Sequence, residues 1–307
     1  MNKNWPLARR KTALEQRAKI LQNIRQFFWK GGYLEVETPH RIPAPAPESH
    51  IHAIPSGHWF LHASPELCMK RMLAAGYQKI FQICRCWRDG ERGDHHVPEF
   101  TLLEWYRAGA DYLDLMEECE ELIQTLAADI GIGKNLAYRG HRIHLESPWE
   151  RITVEEAFHR YATISTREAF KQDLFDEVMV RDIEPNLGIE TPTFLYDYPS
   201  ERRSLARLKK EDPTVAERFE LYLGGVEIAN AFSELNDEKE QRDVFELEIG
   251  ARRSSGKEIY PLPERFLAEL GQMPPCAGIA LGVDRLVMVL LSAKTIDEVV
   301  AFTPEEL

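Results

Sequence analysis

Phe81–Tyr106 reads FQICRCWRDGERGDHHVPEFTLLEWY. Residues 80–88 and 100–107 are rich in apolar and aromatic side chains and predict two strands. The segment between them, Asp89–Pro98, is polar and charged. Such a pair runs antiparallel, and a long charged loop at its end is a ready place for an anion. Upstream, Leu14, Ala18, Leu21, Ile24 and Phe28 recur at helical spacing and predict a helix ending near Gly31-Gly32. Tyr33–Glu37 predicts a strand stopped by Pro39, residues 41–57 a Pro-, Ala- and His-rich loop, and Ser64-Pro65 the start of a helix reaching about Ala75. Downstream, Tyr112, Leu115, Met116, Cys119, Leu122, Ile123 and Leu126 mark an amphipathic helix closed by Gly131. Residues 147–190 predict a separate helical insertion, with capping boxes at Thr153/Glu156 and Ser165/Glu168. Strands resume at Thr193–Tyr198, Arg218–Asn230 and 277–282, and a helix from Val283 to about Leu291 follows. Antiparallel strands with helices at the sides imply an α+β fold.

The 307 residues suit one domain with an insertion, and 44% apolar with 29% charged residues is an ordinary soluble composition. No run approaches the ~20 apolar residues of a membrane span, and Met1–Pro6 lacks a signal core, so neither membrane nor export is expected. The five cysteines (Cys68, Cys84, Cys86, Cys119, Cys276) show no C-x-x-C spacing. Cys84 and Cys86 share a strand face and do not easily bridge; reduced thiols in a cytoplasmic protein are the simplest reading. A net charge of −12 works against broad capture of nucleic acid. Arg9-Arg10-Lys11, Arg202-Arg203, Lys209-Lys210 and Arg252-Arg253 read as solvated helix faces.

Three constellations could carry chemistry. Strand alternation puts Phe100, Leu102, Glu104 and Tyr106 on one face, where an aromatic could stack a base and a carboxylate hold a cation; a half-exposed strand with a mixed face is the alternative. In Phe219–Asn230 (FELYLGGVEIAN), Gly224-Gly225 signals a two-residue hairpin turn. Tyr222 then sits opposite Glu227, and Glu220 shares its face, with the two carboxylates diagonal neighbours roughly 5–8 Å apart. They repel unless a cation lies between them, and Mg²⁺ takes such ligands; two solvated glutamates are the alternative. Beyond Asn230 the alternation puts that amide and Glu234 on the opposite face. In Gly278–Leu286 (GIALGVDRL) the glycines admit close approach of a ligand, and Arg285 falls in the first turn of a helix, which favours phosphate. A buried Arg285–Asp284 pair is the alternative. His95-His96 has no zinc spacing and reads as a loop pair beside a substrate.

Together these segments resemble the signature motifs of the class II aminoacyl-tRNA synthetases, in chain order. Gly32–Pro39 (GYLEVETP) is similar to motif 1, which forms a dimer interface, Phe81–Tyr106 to motif 2, and Gly278–Leu286 to motif 3. Ser64–Leu67 (SPEL) and Glu227–Asp237 (EIANAFSELND) resemble the lysine branch. Only about thirty residues precede motif 1, so no anticodon-binding domain is expected. With the acidic charge and with Ala280 where tRNA enzymes usually carry Gly, this resembles the stand-alone ligases that lysylate elongation factor P.

The resemblance implies a class II synthetase-like antiparallel sheet, a homodimer, and ATP-dependent activation of lysine or β-lysine as an adenylate, followed by transfer to a lysine of elongation factor P. It implies Arg88 on the α-phosphate and substrate carboxylate, Arg285 on the γ-phosphate, Phe100 stacked on adenine, and Glu220 and Glu227 holding Mg²⁺. ATP would also meet Asp89, Gly90, Glu91, His96, Val97, Ile228 and Gly282. Glu104, Tyr106 and Glu234 would receive the side-chain ammonium and Glu66 the other amino group, with Ser64, Pro65, Asn230, Phe232 and Ala280 lining the pocket. Planar guanidinium forks suit oxyanions. The family's R-x-E of motif 2 is here Arg88-Asp89-Gly90, with Glu91 one place later, and the Asn of H-N-P-E-F is Val97, so adenine is expected to be read differently. Two other readings stand beside this one: a lysine-activating enzyme that acylates tRNA or another amine, and a silent paralogue that binds lysine or adenylate. The retained phosphate-binding residues disfavour the silent one, and the acidic charge disfavours tRNA.

Overall fold

A computed structural model describes residues 5–307; the four residues at the start of the expected non-signal segment lie outside it. An eight-stranded sheet organises the chain. Its strands are β1 (Leu34–Glu35), β2 (Lys79–Trp87), β3 (Glu99–Ala108), β4 (Glu150–Thr153), β5 (Thr193–Pro199), β6 (Val215–Leu223), β7 (Val226–Ser233) and β8 (Cys276–Gly282), in spatial order β1-β2-β3-β8-β7-β6-β5-β4. The six central strands are antiparallel, and each edge strand pairs parallel.

Helices α1 (Lys11–Lys30), α3 (Tyr112–Asp129) and α8 (Val283–Leu290) bury their apolar stripes with the sheet in the largest core cluster. Asp111 caps α3 through the amides of Leu113 and Asp114. On α1 the buried stripe is Arg17, Ile20, Ile24 and Phe28, while Ala18 is exposed and Leu14 and Leu21 are half-buried. The stripe is turned from the expected one because Arg17 goes inward, 2.5 Å from Asp284 Oδ1 and 3.0 Å from Thr101 Oγ1. The opposite face of the sheet holds a second core with α2 (Glu66–Ala74), α6 (Glu238–Ser254) and α7 (Glu264–Leu270). Ser64 starts α2 by accepting from the Glu66 amide at 3.0 Å, and Pro65 is the residue before the first helical turn rather than its first position.

Three further expectations change. Residues 41–57 are not wholly loop, since Arg41–Ile42 and Pro55–Ser56 flank Trp59–Leu61 in a small sheet. The 147–190 segment is not purely helical: β4 joins the main sheet before α4 (Val154–Tyr161) and α5 (Thr166–Lys171), both of which have the expected capping boxes. Asn135–Tyr138 and His141–His144 form a further hairpin. Arg252 is not solvated; it is fully buried, stacked 4.0 Å over Tyr260, and donates to the carbonyls of Glu48, Ile51 and Glu258.

Candidate active site

Strand register builds the site. Directly paired residues share a sheet face, so Gln82, Glu104, Ala280, Asn230 and Glu220 form one row across five strands. Ile80, Tyr106, Gly278, Phe232 and Arg218 form the next. The hairpin turn is where Gly224-Gly225 put it, with Tyr222 opposite Glu227. A register shift follows: Leu221 pairs Ala229, and Ile228 is the extra residue of a bulge. This one inserted residue corrects the simple alternation. It moves Asn230 and Phe232 onto the face that carries Glu220 and Glu227.

Over these rows opens a cavity of about 210 Å³. Its deep end is acidic. Glu104 is buried and accepts from Ser64 Oγ at 2.6 Å and from Tyr106 Oη at 2.9 Å. Glu66 and Glu234 share one cation, the fully buried Lys70 ammonium, 2.5 Å from each. Oε1 of Glu234 is buried with no hydrogen-bond partner. Glu48, from the loop before α2, adds a fourth carboxylate to the wall. Four carboxylates against one ammonium leave a net deficit of positive charge. Burial, then the neighbouring Glu66, push the Glu104 carboxyl up to about 8, and the same two causes raise Glu48 to about 7. Gly278 makes room here: a Cβ would lie 2.2 Å from the Tyr106 ring and 2.4 Å from Glu234 Oε1.

The other end holds the two arginines of the cavity, Arg88 and Arg285. Arg285 does not pair with its neighbour. Asp284 is taken by Arg17 and by the Thr101 amide at 2.6 Å. The Arg285 fork instead reaches Glu227 Oε2 at 2.9 Å, the Glu227 carbonyl at 3.0 Å and His96 Nε2 at 2.5 Å. Arg88 lies 5.0 Å over the Phe100 ring and 3.6 Å from Glu91, and its buried Nε has no acceptor. Desolvation, then Arg139 and Arg285, hold His95 down to about 4; desolvation and Arg285 lower His96. Both imidazoles are therefore neutral near pH 7.

The cavity brings together Ser64, Glu66, Arg88, Glu91, His96, Val97, Phe100, Glu104 and Tyr106 from the first half of the chain. From the second half it gathers Glu227, Ile228, Asn230, Phe232, Glu234, Ala280, Gly282 and Arg285. Four expected residues are off its wall. Pro65 only starts α2, Gly90 makes a turn with φ +76°, and the Asp89 amide is held by the His52 carbonyl at 2.7 Å. Glu220 is turned aside by Arg218, with which it pairs, and by Tyr222 Oη at 2.6 Å. Val97 is buried in the core, so the wall there is apolar where the family has an amide. Sequence reading missed Glu48, which carries no local signal. It also missed Lys70, whose place four residues after Glu66 was a visible pair signal.

A family model described as tRNA synthetases class II (D, K and N) matches residues 7–306. The chain is 40% identical over 306 residues to the elongation factor P–(R)-β-lysine ligase of Proteus mirabilis (strain HI4320), covering 94% of each chain. It is likewise 40% identical over 307 residues to the protein of that name from Salmonella gallinarum, with the same coverage.

Proposed function

The chain belongs to the class II tRNA synthetases of the D, K and N group, and we propose that it activates (R)-β-lysine or lysine with ATP and joins it to a lysine of elongation factor P. The observation that carries this is the polarity of one cavity. A diamino acid fits with both ammonium groups among Glu48, Glu66, Glu104 and Glu234, and with its carboxylate directed toward Arg88. ATP lies at the other end, with adenine on Phe100 and phosphates on Arg88 and Arg285.

The substrate carboxylate oxygen attacks the α-phosphorus in line; the bond to the β-phosphate bridging oxygen breaks and pyrophosphate leaves. An acceptor amine then attacks the acyl carbon, and AMP departs with the C–O bond electrons. No protein nucleophile is needed. The chain's own contribution is positioning and neutralisation of charge. Magnesium fits the donor set in part: Glu227 faces the cavity, and a carboxylate with phosphate oxygens suits this ion. It would neutralise phosphate charge. Glu220 would join it only on giving up Arg218.

The acceptor is a translation factor and the five cysteines are free, which supports a cytoplasmic reaction. Among the described residues no helix is long and apolar enough to cross a membrane. Exposed Trp29 and Leu34, at 78% and 52%, support a homodimer through α1 and β1.

Pyrophosphate exchange with ATP tests activation, and labelled β-lysine offered with elongation factor P and lysine tRNA in parallel tests transfer. We expect exchange with at least one lysine isomer and label on elongation factor P. Absence of exchange with both isomers would reject the enzyme reading; label on tRNA alone would reject the acceptor.

A further inference from the structure

Outside the adenylate cavity, the buried edge of the sheet holds a cluster that the reaction does not use. Cys84 and Cys86 are buried on β2, paired with Leu102 and Phe100, and their sulfurs are 3.8 Å apart. His62, 1% exposed, places Nε2 3.9 Å from Cys86 Sγ. Ligand atoms of all three residues lie within 4.8 Å of one another. Backbone bonds fix the histidine: its amide donates to the His40 carbonyl at 2.9 Å, and its own carbonyl accepts from Trp87 at 3.0 Å. Its Nε2 is also 2.7 Å from the Arg85 carbonyl.

Two fates are open to such a thiol pair. A disulfide fits poorly. Residues two apart on a strand have Cα atoms roughly 6.6 Å apart, near the upper limit of about 6.8 Å for a bridge. Closing it would draw β2 out of its ladder with β3. A tetrahedral ion fits well. With metal–sulfur bonds of about 2.3 Å, two thiolates on one zinc stand about 3.8 Å apart, the separation found here before any ion enters. Two thiolates also cancel a dication, so the buried unit is neutral.

We propose that His62, Cys84 and Cys86 form a binding site for a thiophilic divalent ion of the zinc class. The fourth position falls to water or to His40, whose ring centroid is 5.3 Å from that of His62. On binding, two S–H bonds break, two metal–sulfur bonds form and two protons go to solvent. His62 coordinates through Nε2 with its proton on Nδ1, giving up the contact with Arg85. No oxidation is involved. The ion would clamp the end of β2 from which Trp87 and Arg88 continue into the phosphate-binding loop.

Cobalt(II) added to the chelator-treated full chain tests the site, with zinc as competitor. The expected result is one cobalt per chain with thiolate-to-metal charge transfer and tetrahedral ligand-field bands, both removed by zinc. Cys84→Ser and Cys86→Ser should each weaken the charge-transfer band and together abolish it, whereas Cys68→Ser, outside the cluster, should keep it. Zinc X-ray absorption of the unaltered chain guards against variants that fail to fold, and should show two sulfurs and one imidazole. The site is refuted by wild-type protein that holds no cobalt at micromolar concentration, by a band that survives the double serine variant, or by a zinc shell without sulfur. Mass spectrometry that finds a Cys84–Cys86 disulfide in air-exposed protein would also overturn it.

Discussion

Arg285 shows what a single side chain's direction decides. Its place behind a glycine-punctuated strand was legible, but whether it paired with Asp284 was not. The answer lies with Arg17, far away in sequence, which occupies Asp284 and frees Arg285 for Glu227, His96 and the cavity. Arg285→Ala should lower the pyrophosphate-exchange rate by about 10²–10³-fold, the usual cost of a lost charge-stabilising donor. Arg285→Lys should recover little, since an ammonium lacks the planar fork. Near-normal exchange in the alanine variant would disprove the role. Glu104 gives a second prediction. Its carboxyl titrates at about 8, above the ordinary value of 4.5. A group raised in this way takes up a proton on folding, so its stabilising contribution is complete below about 4.5 and is lost as pH rises through about 8. Glu48 and Glu184, at about 7, and Glu234, at about 8, act with the same sign; Cys84, held down to about 5 by its hydrogen bond with Cys86, acts with the opposite sign, while His95, at about 4, acts only below this window. The ligand-free chain should therefore melt lower at pH 8.5 than at 6.5, and β-lysine should protect it more at the higher pH. Glu104→Gln should weaken both trends; an unchanged pH profile in that variant would show that Glu104 does not contribute to them.

Elements were legible where a local pattern set them. The ends of α1 and α3, the two capping boxes and the Gly-Gly turn follow from neighbouring residues. Those that depend on distant partners were not. Strand β4 is only four residues long, and it is ordered by parallel pairing with β5. Helix α6 shows little apolar stripe, burying only Gln241, Phe245 and Arg252. The bulge at Ile228 is likewise a property of the pairing, and it decides which residues enter the cavity. The insertion's link to this hairpin can be tested. The amides of Gly224 and Gly225 donate to the carbonyls of Gly188 and Leu187 at 2.8 and 2.9 Å. Gly188 has φ +70°, and a Cβ there would lie 2.4 Å from the Tyr222 carbonyl oxygen. Gly188→Ala should cost more than about 2 kcal/mol, combining left-handed strain with a backbone clash. Gly133→Ala, at φ +68° in open space, should cost only the strain, about 1 kcal/mol. Urea denaturation of both variants measures the difference, and equal losses would mean that the insertion does not press on the hairpin.

At the scale of the whole molecule, composition and charge described a soluble acidic protein, and the order of its segments indicated the fold. That a second chain covers part of the surface was only implied by the resemblance of Gly32–Pro39 to a dimer motif. The geometry adds a physical reason. Helix α1 buries Ile20, Ile24 and Phe28 against the sheet, yet its last turn exposes Trp29 by 78%, and β1, an edge strand, exposes Leu34 by 52%. Large apolar side chains on one helix–strand unit, beside an edge whose outer backbone groups have no ladder partner, are costly to leave in water. A two-fold contact would cover both copies at once. Sedimentation equilibrium should then give about twice the 35.5 kDa chain mass. Trp29→Glu with Leu34→Asp should shift it to a single chain mass, because the added charges would be buried unpaired in the contact. Neither residue touches the core, so the far-ultraviolet circular dichroism should be unchanged. A wild-type protein that sediments at one chain mass at micromolar concentration would rule out this dimer, and a dimer that survives both substitutions would place the contact on another face.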